Sequence, residues 1–313
     1  MWQSSATIDI LRKRMRILSS IRHFFSSRDY LEVETPIMAH AGVTDVYLEN
    51  IEATFRGKTY FLQTSPEYHM KRLLAAGSGP IFQLSRAFRD DELGRWHNPE
   101  FTMLEWYKLG SDYHQLIHEI DGFLQAILQT PPMRKITYQQ LFFDVLGLDP
   151  INAPLVVMKQ ALVNHQLGAV LDDDEQDREQ YLFLLMSHVI EPKLASYAEP
   201  IVIYDYPASQ AALAQIKGDV AERFEVFYRG VELANGFHEL SDVDEQRMRF
   251  EQDNQKRQSM GLSKKPIDKY LLQALEHGLP DCSGVALGID RLISLALGQE
   301  SLSTVLAFDF ANS

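Results

Sequence analysis

Disulfide chemistry is excluded from the start: the 313-residue chain holds one cysteine, Cys282, so neither an internal bridge nor a thiolate metal cluster can form. Positive charge is also short, with 30 Lys and Arg against 43 Asp and Glu and a formal net charge of −13. That total repels a polyphosphate backbone, so nucleic acid is not the default partner unless a local basic groove overrides it. No apolar run approaches the ~20 residues of a membrane span. The opening Met1-Trp-Gln-Ser-Ser-Ala-Thr7 lacks the basic-then-apolar order of a signal peptide. Internal repeats, low-complexity tracts and Gly/Ser linkers are missing, and with them any clean domain boundary. These absences predict one cytoplasmic domain over residues 1–313, with no membrane association. At 45% hydrophobic and 23% charged residues, its core is expected to be sizeable.

The stretch from Arg86 to Tyr107 stands out. A strand-like run, Ile81 to Arg89, enters a charged loop turned at Gly94, and a second run, Phe101 to Tyr107, leaves it. Apolar and aromatic residues interleaved on both sides predict a hairpin. The loop gathers cations, carboxylates, an imidazole and an amide, which would cost several kcal/mol each if buried unpaired. A charged ligand is the better reading.

The rest of the chain is ordered around it. Ile8, Leu11, Met15, Leu18, Ile21 and Phe25 predict an amphipathic helix over 8–29, with Arg12, Lys13, Arg14 and Arg16 on its solvated face. A short strand from Leu31 meets Pro36, where it should end or else lie at a sheet edge. Tyr60 to Thr64 reads as a strand. Ser65-Pro66-Glu67 then opens a helix, with serine as N-cap, proline first and glutamate in the first turn. Residues 112–200 are helical and poorer in motifs. Within them the acidic run Leu171 to Glu179 is read as an exposed loop and helix start. His69, His114, His118, His165 and His188 lack metal-ligand spacing, and Cys282 is read as packed rather than reactive. Trp96 either caps a pocket or lies on the loop surface.

Two further stretches carry chemistry. Phe224 to Tyr228, Arg229-Gly230 and Val231 to Phe237 predict a β-hairpin in which Phe227 faces Glu232 and Glu225 lies diagonally on the same face. Two carboxylates so placed need a cation between them. Asn235 and Glu239 join that face only through a bulge, expected at Gly236. Asp242 to Gln258 predicts a helix with a solvated charged face. Last, Gly284 to Leu297 reads as a strand and then a helix, whose glycines admit a flat ligand. Arg291 in its first turn suits phosphate.

The first helix, strand and Pro36, then residues 86–107, then 284–292, resemble in order the three signature motifs of class II aminoacyl-tRNA synthetases. The likeness spans nearly the whole chain. It is nearest the lysyl branch, through Arg95-Trp-His97-Asn98-Pro-Glu-Phe-Thr-Met-Leu-Glu105-Trp-Tyr107 and Gly236-Phe-His-Glu239-Leu. The resemblance implies an α+β fold, an antiparallel sheet flanked by helices, and a homodimer formed through motif 1. It implies activation of an amino acid with ATP and magnesium as an aminoacyl-adenylate. Arg89 then matches the arginine at the α-phosphate and substrate carboxylate, Phe101 the ring on adenine, and Arg291 the arginine at the γ-phosphate. His97 and Asn98 match the triphosphate and adenosine positions, and Asp91, Leu233 and Gly288 complete the nucleotide set. Glu225 and Glu232 match the magnesium carboxylates. Glu67, Glu105, Tyr107, Asn235 and Glu239, with Ser65, Pro66 and Ala286, match the recognition of a lysine-like substrate.

Three departures redirect the expectation. Motif 2 reads Arg89-Asp90-Asp91 where Arg-x-Glu is usual, so the Asp91 contact to ATP has a shorter reach. There is no room for an anticodon-binding domain before residue 8 or after Arg291. Ser65 and Ala286 stand where lysyl-tRNA synthetases more often have Ala and Gly. All three resemble the stand-alone synthetase paralogues that modify translation elongation factor P. That resemblance implies (R)-β-lysine (or lysine) as the activated substrate and a lysine ε-amine of elongation factor P as the acceptor, rather than tRNA. The alternatives are a compact tRNA-charging enzyme and a non-catalytic amino-acid sensor.

Overall fold

The computed structural model describes residues 2–90, 93–172 and 174–313. In chain order its elements begin α1 (Ile8–Ser26), β1 (Leu31–Glu32), β2 (Met38–Ala39), β3 (Glu52–Phe55), β4 (Lys58–Leu62), α2 (Glu67–Ala75), β5 (Ile81–Phe88) and β6 (Glu100–Leu109). Next come α3 (Tyr113–Leu128), β7 (Arg134–Thr137), α4 (Tyr138–Leu146), α5 (Leu155–Asn164), α6 (Arg178–Leu185), α7 (Glu191–Leu194) and β8 (Ile201–Pro207). The chain closes with β9 (Ile216–Lys217), β10 (Val220–Tyr228), β11 (Val231–His238), α8 (Val243–Ser259), α9 (Lys269–Gly278), β12 (Cys282–Gly288) and α10 (Ile289–Ala296). They form two compact units, one of residues 1–112 with 239–313, the other of residues 113–238.

In the first unit, β6 lies between β5 and β12, antiparallel to both, and the short β1 runs parallel to β5. Alternation along β6 explains why this sheet has two unlike faces. Its even positions present Leu104 and Trp106, level with Leu84 and Phe82 of β5 and Leu287 and Val285 of β12. Phe25 of α1 seals that face, its ring stacked 4.7 Å from Phe82 and edge-on 5.1 Å from Trp106. Each such ring, fully buried, contributes about 1.5–3 kcal/mol. The odd positions present Phe101, Met103, Glu105 and Tyr107 to the opposite face.

Helix α1 ends at Ser26, capped at its start by Thr7, whose hydroxyl accepts from Ile10 N. Its basic residues do not all face solvent: Arg14 pairs with Asp290 at 2.6 Å and donates to Thr102. Helix α8 also departs from its expected solvated face. It buries Gln246, Phe250, Asn254 and Arg257. Arg257 is bound by the Glu49 carboxylate and by the Asp45 and Ser263 carbonyls, which is what makes a buried guanidinium tolerable. A small antiparallel sheet, β2-β4-β3, completes this unit.

The second unit orders its strands β11-β10-β8-β7, antiparallel except for β7 with β8, and β9 pairs with β10. Tyr138, Phe142, Leu182, Leu185, Ile190, Ile203 and Phe227 share its core. Between α6 and α7 the helix widens to a π turn at Met186–Ile190. Pro192, at the start of α7, supplies the cause: it has no N–H to donate and its ring collides with a carbonyl one turn back. Asp177 caps α6, so the described residues of the acidic run are a loop and helix start, as expected.

Candidate active site

The odd face of β6 carries the first cluster. Cross-strand register places Tyr107 opposite Gly284, Glu105 opposite Ala286 and Met103 opposite Gly288. Large residues on β6 therefore face small ones on β12. At Gly284 the fit is complete: an added Cβ would lie 2.4 Å from both Glu239 Oε1 and Tyr107 Cε1. Phe101 to Glu105 spans four residues, about 14 Å along an antiparallel strand. One strand thus offers an aromatic ring at one end and a carboxyl at the other.

Serine and glutamate at the start of α2 meet that carboxyl. Ser65 Oγ donates to Glu105 Oε2 at 2.6 Å and accepts from Glu67 N at 3.0 Å. The N-cap position belongs to Pro66, one residue beyond the expected serine, and the Pro66 carbonyl accepts from Met70 N and His69 N. The serine still satisfies an orphan N–H of the helix while its proton orients Glu105. Tyr107 donates to Glu105 Oε1 at 2.6 Å. Burial, then the nearby Glu67 charge, pushes the Glu105 carboxyl up to about 8 against the pull of the Ser65 and Tyr107 hydroxyls. The Tyr107 phenol is raised too, by burial and by Glu105.

Lys71, one turn along α2 from Glu67, escaped the sequence reading. Its ammonium is 1% exposed and pairs with Glu67 at 2.7 Å and with Glu239 at 2.6 Å. Burial alone would discharge it, but Glu239 and then Glu67 hold it above its ordinary range. The only sequence signal was its spacing of four from Glu67, which on a helix reads equally well as a surface ion pair. Cys282 is buried, and burial followed by the Glu239 charge raises its thiol, in keeping with a packing role.

At the other end of β6, Arg89 lies 5.2 Å over the Phe101 ring. Its backbone N–H donates to Pro99 O, and the next N–H, at Asp90, donates to Glu49 O. Gly94 and His97 exchange backbone hydrogen bonds and close the loop as a tight turn. Arg291 reaches this turn, donating from Nε to Trp96 O at 3.1 Å, with Nη2 2.8 Å from His97 Nε2. Gly288, the cap residue of α10, is half-buried beside the Arg291 stem. Asp290, also missed, fixes that helix start: it is buried, accepts from Thr102 N at 2.7 Å and pairs with Arg14. The Asn98 side chain donates to Glu100 O and accepts from Phe310 N. Asp91 lies outside the described residues.

The second unit holds the other carboxylates. Phe227 faces Glu232 across a two-residue turn, as the sequence predicts, with Arg229 and Gly230 both at positive φ. The bulge is present but misplaced by the sequence reading. Val226 pairs with Ala234 and Phe227 with Glu232, so the extra residue is Leu233, not Gly236. It restores Asn235 to the face of Glu232, opposite Glu225, with Asn235 Nδ2 3.4 Å from Glu225 Oε1. Arg223, another omission, forms an ion pair with Glu225. Burial still raises the Glu225 carboxyl, with Arg223 opposing and Glu232 adding to the rise. Two carboxylates on one face of a hairpin, one of them raised by burial and by the other's charge, suit magnesium, which takes one or two carboxylates beside water and phosphate oxygens. Among the described residues no trio of His, Cys, Asp or Glu could hold a metal by itself, and no helix is long and apolar enough to cross a membrane.

Known proteins resemble the chain in sequence. The family described as tRNA synthetases class II (D, K and N) matches residues 1–311. A protein of Edwardsiella ictaluri named elongation factor P–(R)-beta-lysine ligase is 54% identical over 98% of this chain and 97% of its own length. Its namesake in Vibrio atlanticus is 52% identical over 100% of this chain and 99% of its own. One from Salmonella typhi is 53% identical over 98% and 97%. With the family match covering nearly all of its length, the chain belongs to the class II tRNA synthetases, and its antiparallel sheets flanked by helices are those of that family's catalytic fold.

Proposed function

We propose that this protein is an ATP-dependent ligase that activates (R)-β-lysine as an aminoacyl-adenylate and passes it to a lysine ε-amine of elongation factor P. The observation carrying this reading is the cluster of Glu67, Glu105 and Glu239, the last two buried, gathered at the strand face that also presents Phe101, in a chain 52–54% identical to ligases named for that reaction. A substrate with two ammonium groups needs buried acceptors, and these carboxyls supply them. Ser65 and Ala286 shape the floor beside Glu105, and Asn235 is assigned to the same substrate.

The chemistry is positioning and charge. A substrate carboxylate oxygen attacks the α-phosphorus of ATP, the bond to the β-phosphate bridging oxygen breaks, and pyrophosphate leaves. Arg89 is assigned to the carboxylate and α-phosphate, with Phe101 stacked on adenine. Arg291, beside His97, is assigned to the γ-phosphate, and Asn98, Leu233, Gly288 and Asp91 to the nucleotide. Fixed cations of this kind act where charge accumulates in the transition state. Glu225 and Glu232 are the proposed magnesium carboxylates, and the ion would supply neutralisation of phosphate charge. In the second half-reaction a neutral ε-amine attacks the adenylate carbonyl, an amide forms, and AMP departs.

Exposed apolar residues on α1 and β1, Ile8, Met15 and Leu31, favour a homodimer through that face. The decisive experiment is pyrophosphate exchange with α-lysine and both β-lysine enantiomers, followed by mass spectrometry of purified elongation factor P. Fastest exchange with the (R)-enantiomer, and its residue mass on one lysine of the factor, are expected. No exchange with any of the three would overturn the reading.

A further inference from the structure

The amine end of the site carries a cation of its own. Lys71 bridges Glu67 and Glu239 at 2.7 and 2.6 Å, while both oxygens of Glu105 are held by neutral hydroxyls, those of Ser65 and Tyr107. Glu105, Glu239 and Lys71 are each no more than 2% exposed, so water screens them little. Three ionised carboxyls around one ammonium leave two negative charges in excess. In a buried site that excess is relieved either by incoming cations or by a proton.

We propose that Lys71 and Glu105 are specificity-determining residues that meter substrate charge: Lys71 permanently neutralises one carboxylate of the trio, and Glu105 carries a proton that a second substrate ammonium expels. The inference rests on the amine-activating reading above and deepens it. A substrate with one ammonium group leaves the pocket neutral with the Glu105 proton in place. A substrate with two leaves it neutral only once that proton has gone. The groups facing Glu105 agree on which carboxyl is the adjustable one. From α2 come Glu67 and Lys71, from the segment after β11 Glu239, from β6 Tyr107, and from the turn before α2 Ser65. Glu67 and Glu239 have an ammonium in contact; the Glu105 partners in contact are uncharged. The elevated Glu105 carboxyl, near 8, is the same asymmetry seen in its titration.

Two consequences separate this from simple charge attraction. Binding a diamino acid at pH 7 releases about one proton per site, whereas a monoamino analogue releases none. Discrimination between the two also grows with pH, about tenfold per unit, and levels off near 8, where free Glu105 is already ionised.

The test is calorimetry of the whole protein, saturated with a non-hydrolysable ATP analogue, in two buffers of different ionisation enthalpy at pH 7. The titrants are (R)-β-lysine and 6-aminohexanoate. The expected result is about one proton released with (R)-β-lysine and none with 6-aminohexanoate. Glu105→Gln, which keeps the shape and cannot ionise, abolishes the release. Lys71→Gln removes the resident cation, so three carboxyls against two ammoniums keep one proton in the complex and the release stays near one, as in Lys71→Arg; a release of two would overturn the neutrality rule. Pyrophosphate exchange is run in parallel. Exchange with (R)-β-lysine but no proton release overturns the metering proposal and leaves the adenylation reading standing. Absence of amino-acid-dependent exchange overturns both. Should Lys71→Gln fail to fold, wild type and Glu105→Gln still decide.

Discussion

Arg291 Nη2 lies 2.8 Å from His97 Nε2. A guanidinium can only donate, so the imidazole nitrogen accepts and its proton sits on Nδ1. The third motif is thereby hydrogen-bonded to the second, with Asp290 anchoring the helix start from which the arginine projects.

Removing that arginine should act on the phosphate end alone. Arg291→Ala is expected to lower kcat/KM for ATP in the exchange assay by about 10²–10³, the usual cost of one transition-state donor. The KM for the amino acid should change by less than about threefold, because the Glu105 trio lies about 14 Å further along β6 than Phe101. Lysine at 291 should rescue only part of the loss, since an ammonium cannot span two acceptors in a plane.

The expectation for Gly284→Ala is the reverse. The new methyl would sit 2.4 Å from Glu239 Oε1 and the Tyr107 ring, against side chains fixed by Lys71 and Glu105. Overpacking of this kind costs about 1–3 kcal/mol. Urea titration should register that loss, and the KM for the diamino substrate should rise at least about tenfold while ATP binding persists.

Glu105 also makes stability depend on pH in the opposite sense to a salt-bridged carboxylate. Its folded value, about 8, lies above that of an unfolded glutamate near 4.3. Between those values the folded chain holds a proton that the unfolded chain has lost, so this group's contribution falls as pH rises through the window and is level above about 8. Glu105→Gln removes the dependence. Denaturation midpoints at pH 5 and pH 8 should therefore fall less in Glu105→Gln than in wild type.

Sequence reasoning reached much of this site because its strongest signals are local. The β5–β6 hairpin, the Arg229-Gly230 turn and the strand-to-helix step before Arg291 each follow from a few contiguous residues. What escaped depends on contacts across the fold. Lys71 resembles a surface helix lysine until Glu239, far along the chain, closes over it. Arg223 and Asp290 are unremarkable charges until Glu225 and Thr102 are placed beside them. The Ser65 cap failed by one position because proline at the cap position can begin a helix while the serine bonds past it.

The hairpin carboxylates give a metal prediction. Glu232→Gln should raise the magnesium concentration for half-maximal exchange by about tenfold or more, with little change in unfolding midpoint. Glu225→Gln should do the same with an added loss of stability, because the Arg223 guanidinium then keeps its burial and loses its charge partner. Magnesium titrations of exchange, paired with urea curves, distinguish the two variants.

The extra residue at Leu233 is what lets an odd spacing, three positions from Glu232 to Asn235, keep both side chains on one side of the sheet. Without the bulge, alternation over three positions would part them. Deleting Leu233 would shorten that spacing to two, and regular alternation would then hold the pair together with no bulge at all. A hairpin shortened at that one position should therefore keep its magnesium dependence.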